Sequence, residues 1–308
     1  MAHKSIQQML AAAFKAITVS DLDDSTLVPE QADRFLRVMR RRTVILPNAR
    51  RITMMADTRN IDRTGFSGRL LDAPQSEGEV FTGETKPDFF TNQLVAQKTR
   101  GRASISDESL EENIEREGFE STLVDMIAES AGIDLEELFI QGDEGSGDDF
   151  LALTDGWLVK AEQQLDGTTD TDFDADDVED MFEQMILAVD EKYISGDRSR
   201  WRIFTTFEAE NAYRDVLRAR ETSLGDTAQV GQQPLFYKGI RVRDVPNMPS
   251  GSSLLTNLDN TVYGIRRDIE IEPERRADAD RWDFHVRAKG DAHYEDENAA
   301  VHAHDSDF

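Results

Sequence analysis

The sequence predicts an α+β protein, and three observations carry that prediction. Phe119, Leu123, Ile127, Ala131, Leu135 and Leu138 recur at near-fourfold spacing, the mark of one long helix. Helical and strand-like segments alternate between Trp157 and Thr256. After Asn260 only strand patterns remain. A chain of 308 residues is long enough for one large or two modest domains with a sizeable core.

In chain order, Met1 to Ser20 has only short apolar pieces and reads as neither a signal peptide nor an anchor. No stretch approaches the roughly 20 apolar residues of a membrane helix, so the chain is expected to be soluble. Leu27 to Met39 predicts a short helix with Ala32, Phe35, Leu36 and Met39 on one face. Arg40, Arg41 and Arg42 follow, then Val44-Ile45-Leu46 with Pro47, which predicts a strand, and a second strand at Ile52 to Met55. From Asp57 to about Asn92 neither helical nor strand period emerges. Ordinary connections run about 4–6 residues, so this excursion is expected to be functional, and its aromatic and arginine content argues for order.

Regularity returns at Leu94, and Ser106 or Asp107 can cap a helix beginning near Leu110. The long helix is expected over Glu117–Gln141, about 37 Å at 1.5 Å per residue, with Gly142 as its stop. Gly142 to Asp149 has the composition of an exposed linker and marks a domain boundary. Beyond it, Asp174 is expected to cap a helix bearing Val178, Met181, Phe182, Met185, Ile186 and Val189, with Phe173 and Val178 as a hydrophobic staple. A strand at Arg200 to Thr205, a helix at Phe207 to Arg220, and strands at Phe236–Val245 and Ser253–Thr256 complete an α/β module. Ile269 and Ile271, then Trp282, Phe284 and Val286, alternate with polar residues. They predict two half-buried strands joined by Pro273–Arg281.

Acidic residues number 62 against 35 basic, a net charge of −27. Such a surface repels nucleic acid and anionic membranes, which excludes a DNA-reading protein. With 8 lysines the remaining 35 − 8 = 27 cations are arginines, and aspartates outnumber glutamates. This balance resembles that of proteins from salt-loving microbes, whose self-repulsion molar salt would screen. The absence of cysteine removes disulfides and thiolate chemistry. Asp170 to Asp177 imitates a calcium loop, but the positions needing Gly and a bidentate Glu hold Ala175 and Met181, so an acidic linker is expected instead. His302 and His304 form a close pair for which the sequence names no third ligand. No nucleophile elbow, phosphate loop, zinc helix motif or dinucleotide glycine pattern occurs. No catalytic, cofactor or metal site is expected.

The ordered features resemble the major capsid proteins of tailed double-stranded DNA viruses, the Hong Kong 97 fold. The residues that carry the likeness run from Leu94-Val95-Ala96-Gln97-Lys98-Thr99-Arg100-Gly101-Arg102 through Asn113 into the long helix. They continue in Leu135 to Asp143, Leu153 to Leu158, Tyr237-Lys238-Gly239-Ile240 with Val245-Pro246, and Thr261 to Ile265. The resemblance implies an N-terminal arm (1–52), an extended loop (53–93) and a peripheral domain with a spine helix (94–149). An inserted α/β axial domain (150–256) and closing peripheral strands (257–308) follow. It implies self-assembly into hexamers and pentamers of an icosahedral virion shell that encloses double-stranded DNA without reading its sequence. Assembly would take place in the host cytoplasm, with portal and accessory capsid proteins as partners. About 26 residues precede Leu27, which implies a separate scaffolding protein or none. Composition adds a virus of a halophilic archaeon as the expected source. A non-viral, encapsulin-like nanocompartment shell and a halophilic enzyme are the alternatives.

Subunit contacts are expected at two places. Phe66, Phe81, Phe89 and Phe90 are apolar groups that a lone loop cannot bury. Arg40, Arg41 and Arg42 suit carboxylates of an adjacent subunit, with Glu111, Glu112, Glu115 and Glu117 as the crowded acidic counterpart.

Overall fold

The computed structural model describes residues 43–66, 71, 86–108, 119–167, 177–219 and 234–305. The helices expected at Leu27–Met39 and near Leu110 lie outside them. The described chain forms a four-stranded sheet, a six-stranded sheet and a two-stranded ribbon, with helices against the two larger sheets.

In the four-stranded sheet, β1 (Arg50–Thr53) runs parallel to β10 (Thr261–Arg276). β11 (Arg281–Tyr294) pairs antiparallel with β10 on one side and with β4 (Gln97–Ser106) on the other, giving the order β1-β10-β11-β4. The expected Pro273–Arg281 connection is shorter than predicted, because Pro273 to Arg276 continue the ladder opposite Phe284 to Arg281. Proline is tolerated there because β1 pairs only as far as Ile265, so among the described residues no strand pairs with that side of β10 at Pro273. Register shifts between Ile265 and Glu270 break the simple alternation that the sequence offered.

The long helix α1 (Phe119–Gln141) lies within the expected span. Its last turns bury Leu135, Leu138, Phe139 and Ile140, while Leu123, Ile127 and Ala131 are only half-buried. They line an open cleft opposite Thr99, Ala103 and Val286. The Val44-Ile45-Leu46 segment is a tight turn and not the expected strand: its N–H groups are taken by the Glu136 carboxylate, which leaves no ladder to join. The acidic piece after α1 is exposed as expected, although the Asp143 and Glu144 N–H groups tie it to Leu151 and Asp155. Gly156 N–H donates to the Gly142 carbonyl, Trp157 to Phe139 and Leu158 to Ile140, so the chain doubles back onto the helix end.

The six-stranded sheet has the order β5-β12-β9-β6-β8-β7. Its strands are β5 (Gln163–Asp166), β6 (Trp201–Thr205), β7 (Leu235–Tyr237), β8 (Ile240–Asp244), β9 (Ser253–Asn257) and β12 (Ala300–His304). Alternation splits its side chains between two cores. Ile203, Leu255, Val301 and Ala303 pack on the helices α2 (Val178–Ala188) and α4 (Phe207–Ala219). Phe204, Leu254 and Ala300 join α1, Trp157 and Tyr263 in the other core.

Three further expectations are corrected. Asp177 caps α2, with its side chain accepting from the Glu179 N–H, so Val178 opens the helix and cannot be the fourth residue of a staple begun by Asp174. α2 stops at Ala188, and the separate turn α3 (Glu191–Ile194) follows. Phe236–Val245 is two strands, folded at Lys238 and Gly239, both with positive φ (45° and 88°). In addition β12 returns to the six-stranded sheet, so the closing strands do not all stay with the four-stranded one.

Candidate functional site

The described residues of the excursion between β1 and β4 form an antiparallel two-stranded hairpin stem, not the aperiodic loop expected. β2 (Thr58–Phe66) pairs antiparallel with β3 (Pro87–Val95), from Thr58 opposite Val95 to Phe66 opposite Pro87. One face of the ribbon is wholly exposed, while on the other Ile61 and Leu94 are buried and Arg63, Gly65, Asp88 and Asn92 half-buried; that inner row is mostly polar, so no apolar period of 2 is imprinted on the sequence.

The root of the hairpin is firmly held. Met54, Ile61, Leu94, Ala96 and Val262 form a small core of their own. A Cβ on Gly264 would come within 2.5 Å of Met54 Sδ and 2.9 Å of Leu94 Cδ1, so only glycine lets β10 pass this cluster. The Ala96 N–H donates to the Asp57 carbonyl (2.8 Å), and Lys289 and Arg266 both pair with the Asp57 carboxylate. Higher up, Asn92 donates to the Tyr294 carbonyl (3.0 Å), and Arg63 pairs with the buried Asp296 while its guanidinium stacks 4.7 Å from the Phe90 ring.

Asp291 fixes the place where the hairpin enters the body. Its carboxylate accepts from the Val95 N–H (2.8 Å) and the Thr154 hydroxyl (2.9 Å), and Lys160 lies 3.2 Å away. His293, two residues on, is buried, and desolvation, helped by the Lys160 charge, holds its imidazole below the usual histidine range.

Beyond the root Phe89 stands bare, and Phe90, stacked by Arg63, keeps half its surface exposed. Phe89 and Phe90 are 74% and 49% exposed, and as neighbours in a strand they point to opposite faces. Phe66 is the last residue of β2. Phe81, Arg40, Arg41, Arg42, Glu111, Glu112, Glu115 and Glu117 lie outside the described residues. Of the expected contact groups, the structure thus gives exposed side chains at Phe89 and Phe90.

The parallel β5–β12 register places Asp166 beside His304, and ligand atoms of Asp166, His304 and Asp305 lie within 4.8 Å of one another. His302 is not part of this group, its Nδ1 lying 2.7 Å from Gln164 Oε1, so the two histidines are not brought together with a third ligand. Among the described residues no helix is long and apolar enough to cross a membrane.

Comparisons with known proteins agree with this architecture. YqbE of Bacillus subtilis (strain 168), named as a prophage capsid protein, is 30% identical over 300 residues, or 92% of this chain and 94% of its own. The capsid of the native GTA particle superposes with a TM-score of 0.62 at 13% identity, covering 85% of this chain and 90% of that one. The procapsid of satellite phage P4 gives 0.60 at 14% identity, covering 88% and 98%. At such identities the structures speak for a shared fold. Neither a nanocompartment nor an enzyme is favoured by these likenesses. A model of the phage capsid family matches residues 24–304, and with it the chain belongs to that family as a structural capsid protein.

Proposed function

We propose that the subunit builds an icosahedral shell of hexamers and pentamers by laying its β2–β3 hairpin over a neighbouring copy, and that the shell encloses double-stranded DNA. The observation that carries this reading is a hairpin anchored at its root by a dedicated core and ion pairs while Phe89 stands bare and Phe90 half-exposed. Two large exposed aromatics on a rigid support are what an interface anchor requires. In this reading residues 1–52 are the arm, 53–93 the extended loop, 94–149 and 257–308 the peripheral domain, and 150–256 the axial domain. β12 is shared back to the axial sheet. Assembly takes place in the host cytoplasm, and portal and accessory capsid proteins complete the virion.

The second contact belongs to Arg40, Arg41 and Arg42, set against Glu111, Glu112, Glu115 and Glu117 of an adjacent subunit. Phe66 and Phe81 extend the apolar contact of the hairpin. The net charge of −27 and the Asp-rich, Lys-poor composition support a shell that works in concentrated salt, as in a virus of a halophilic archaeon.

Electron microscopy of protein expressed and held in high salt tests the whole. Wild type is expected to form closed shells. F89S/F90S is expected to give folded subunits that stop at small oligomers, and normal shells from that variant would remove the hairpin from the mechanism. Replacing Arg40, Arg41 and Arg42 together by Gln is expected to leave monomer folding unchanged and reduce shell yield.

A further inference from the structure

In a chain with 62 acids, one end of the face of the four-stranded sheet turned away from α1 is cationic. Lys98 stands opposite Lys289 on β11, and Lys289 stands opposite Arg267 on β10, so three like charges lie in one row across three strands. The next row begins with Arg100 opposite Arg287. Like charges placed directly opposite one another destabilise a sheet, so the arrangement calls for anions. The inner cations have them: Lys289 pairs with Asp57, Arg287 with Glu272 (3.0 Å) and Arg267 with Glu270 (3.5 Å). On the edge strand β4, Lys98 and Arg100 are exposed and have no ion-pair partner among the described residues, and Arg102 approaches Asp283 only to 3.9 Å. Arg100 foremost, then desolvation and the charges of Arg287, Arg267 and Lys289, pushes the Lys98 ammonium below its usual range, a sign of crowding by positive charge.

We infer that Lys98 and Arg100 hold carboxylates of a second copy of this chain, making the β4 edge of the sheet a second, ionic docking surface. This rests on the shell reading above. The strand itself supports it: β3, with Phe89 and Phe90, runs through Ala96 directly into β4, so Lys98 and Arg100 stand on the same run of chain as the aromatic anchors. A copy of the same chain is also the most carboxylate-rich partner at hand, with 62 acids to 35 bases. DNA phosphate is the less favoured anion, since a double helix reaching this face would meet the field of the other acidic surfaces as well.

Zero-length carbodiimide coupling joins an ammonium to a carboxylate with loss of one water, and it reads the contact directly. Shells assembled without DNA from a mixture of ¹⁴N- and ¹⁵N-labelled wild-type subunits are expected to yield mixed-isotope peptides linking Lys98 to an Asp or Glu. Links confined to one isotope, or none at Lys98, would overturn the inference. K98E/R100E is expected to lower shell yield at least tenfold with an unchanged monomer melting temperature, and K98R/R100K to restore it. Because charge reversal still leaves a charged edge strand, loss of assembly cannot come from lost protection against strand pairing. Normal shells from K98E/R100E overturn the inference, and so do normal shells that protect less DNA, which would assign the face to phosphate. If wild type itself forms no shells, the shell reading fails first.

Discussion

The carboxylate of Glu136, in the last third of the spine helix, accepts hydrogen bonds from the backbone N–H groups of Val44 (2.8 Å), Ile45 (2.7 Å) and Leu46 (3.2 Å). Three donors from one turn thus converge on one buried acceptor 90 or more residues away in sequence. Burial pushes the Glu136 carboxyl up, and the three N–H groups oppose that shift. E136Q is expected to cost about 1–2 kcal/mol, because a neutral amide oxygen replaces a charged one. E136A is expected to cost about 3–5 kcal/mol, because the N–H groups are then buried unpaired. Chemical denaturation of the two variants in parallel checks the order, and equal losses would show that the turn finds water instead.

Asp291 offers a second test at the other end of the same core. D291A removes the acceptor for Val95 and Thr154 and leaves Lys160 without its partner carboxylate, a change expected to cost about 3–5 kcal/mol. Hydrogen exchange should show faster exchange at the Val95 amide before any change in the six-stranded sheet.

His293 makes stability depend on pH. Its folded pKa lies below the unfolded value, so the unfolded chain binds the proton more readily. The contribution of this group is therefore complete above about pH 6.5 and is lost as pH falls through the lower, folded pKa. H293Q should flatten the melting curve in that window relative to wild type, and an unchanged slope below pH 6.5 would place the titration elsewhere.

Gly142 admits no side chain. A Cβ there would lie 2.1 Å from the Thr154 carbonyl oxygen and 2.6 Å from that of Leu138, both backbone atoms that cannot turn aside. G142A is expected to lose about 3 kcal/mol or more, whereas G147A, with nothing near its Cβ, should be neutral within about 0.5 kcal/mol.

Salt should govern the shell more than the subunit. Lowering ionic strength from about 1 M to 0.01 M lengthens the Debye distance from about 3 Å to 30 Å, so like-charged subunits of −27 begin to repel across whole interfaces. Light scattering during dialysis is expected to report opening of shells before the monomer's circular dichroism changes. Particles that survive millimolar buffer without divalent cations would contradict this.

The sequence showed most where one face of an element meets a core. Val178, Met181, Phe182 and Met185 repeat every third or fourth residue and are buried as their spacing implies. The α1 stripe was legible for the same reason, although Leu123 and Ile127 face a cleft. The hairpin escaped because its inner face is covered mainly by polar residues, Arg63, Asp88 and Asn92 among them, which leave no apolar period, and the Val44 turn escaped because its apolar run has the composition of a strand while its hydrogen bonds go to a distant side chain. At the assembly surface, Phe89 and Phe90 could be named from their excess of apolar area. The Lys98–Lys289–Arg267 row could not, since it exists only through cross-strand register.

The position of β12 between β5 and β9 bears on vectorial synthesis. Asp166 and Ser253 leave the ribosome well before His304, yet β5 joins its sheet only through the strand that ends there. Until β12 emerges, β5 has no ladder and the helices that cover the sheet have an incomplete floor. Docking of the axial module is therefore set late, by a strand pairing of long sequence separation, the kind of event that slows folding most. Until that strand is made, the six-stranded sheet lacks both the partner of β5 and part of the floor beneath α2.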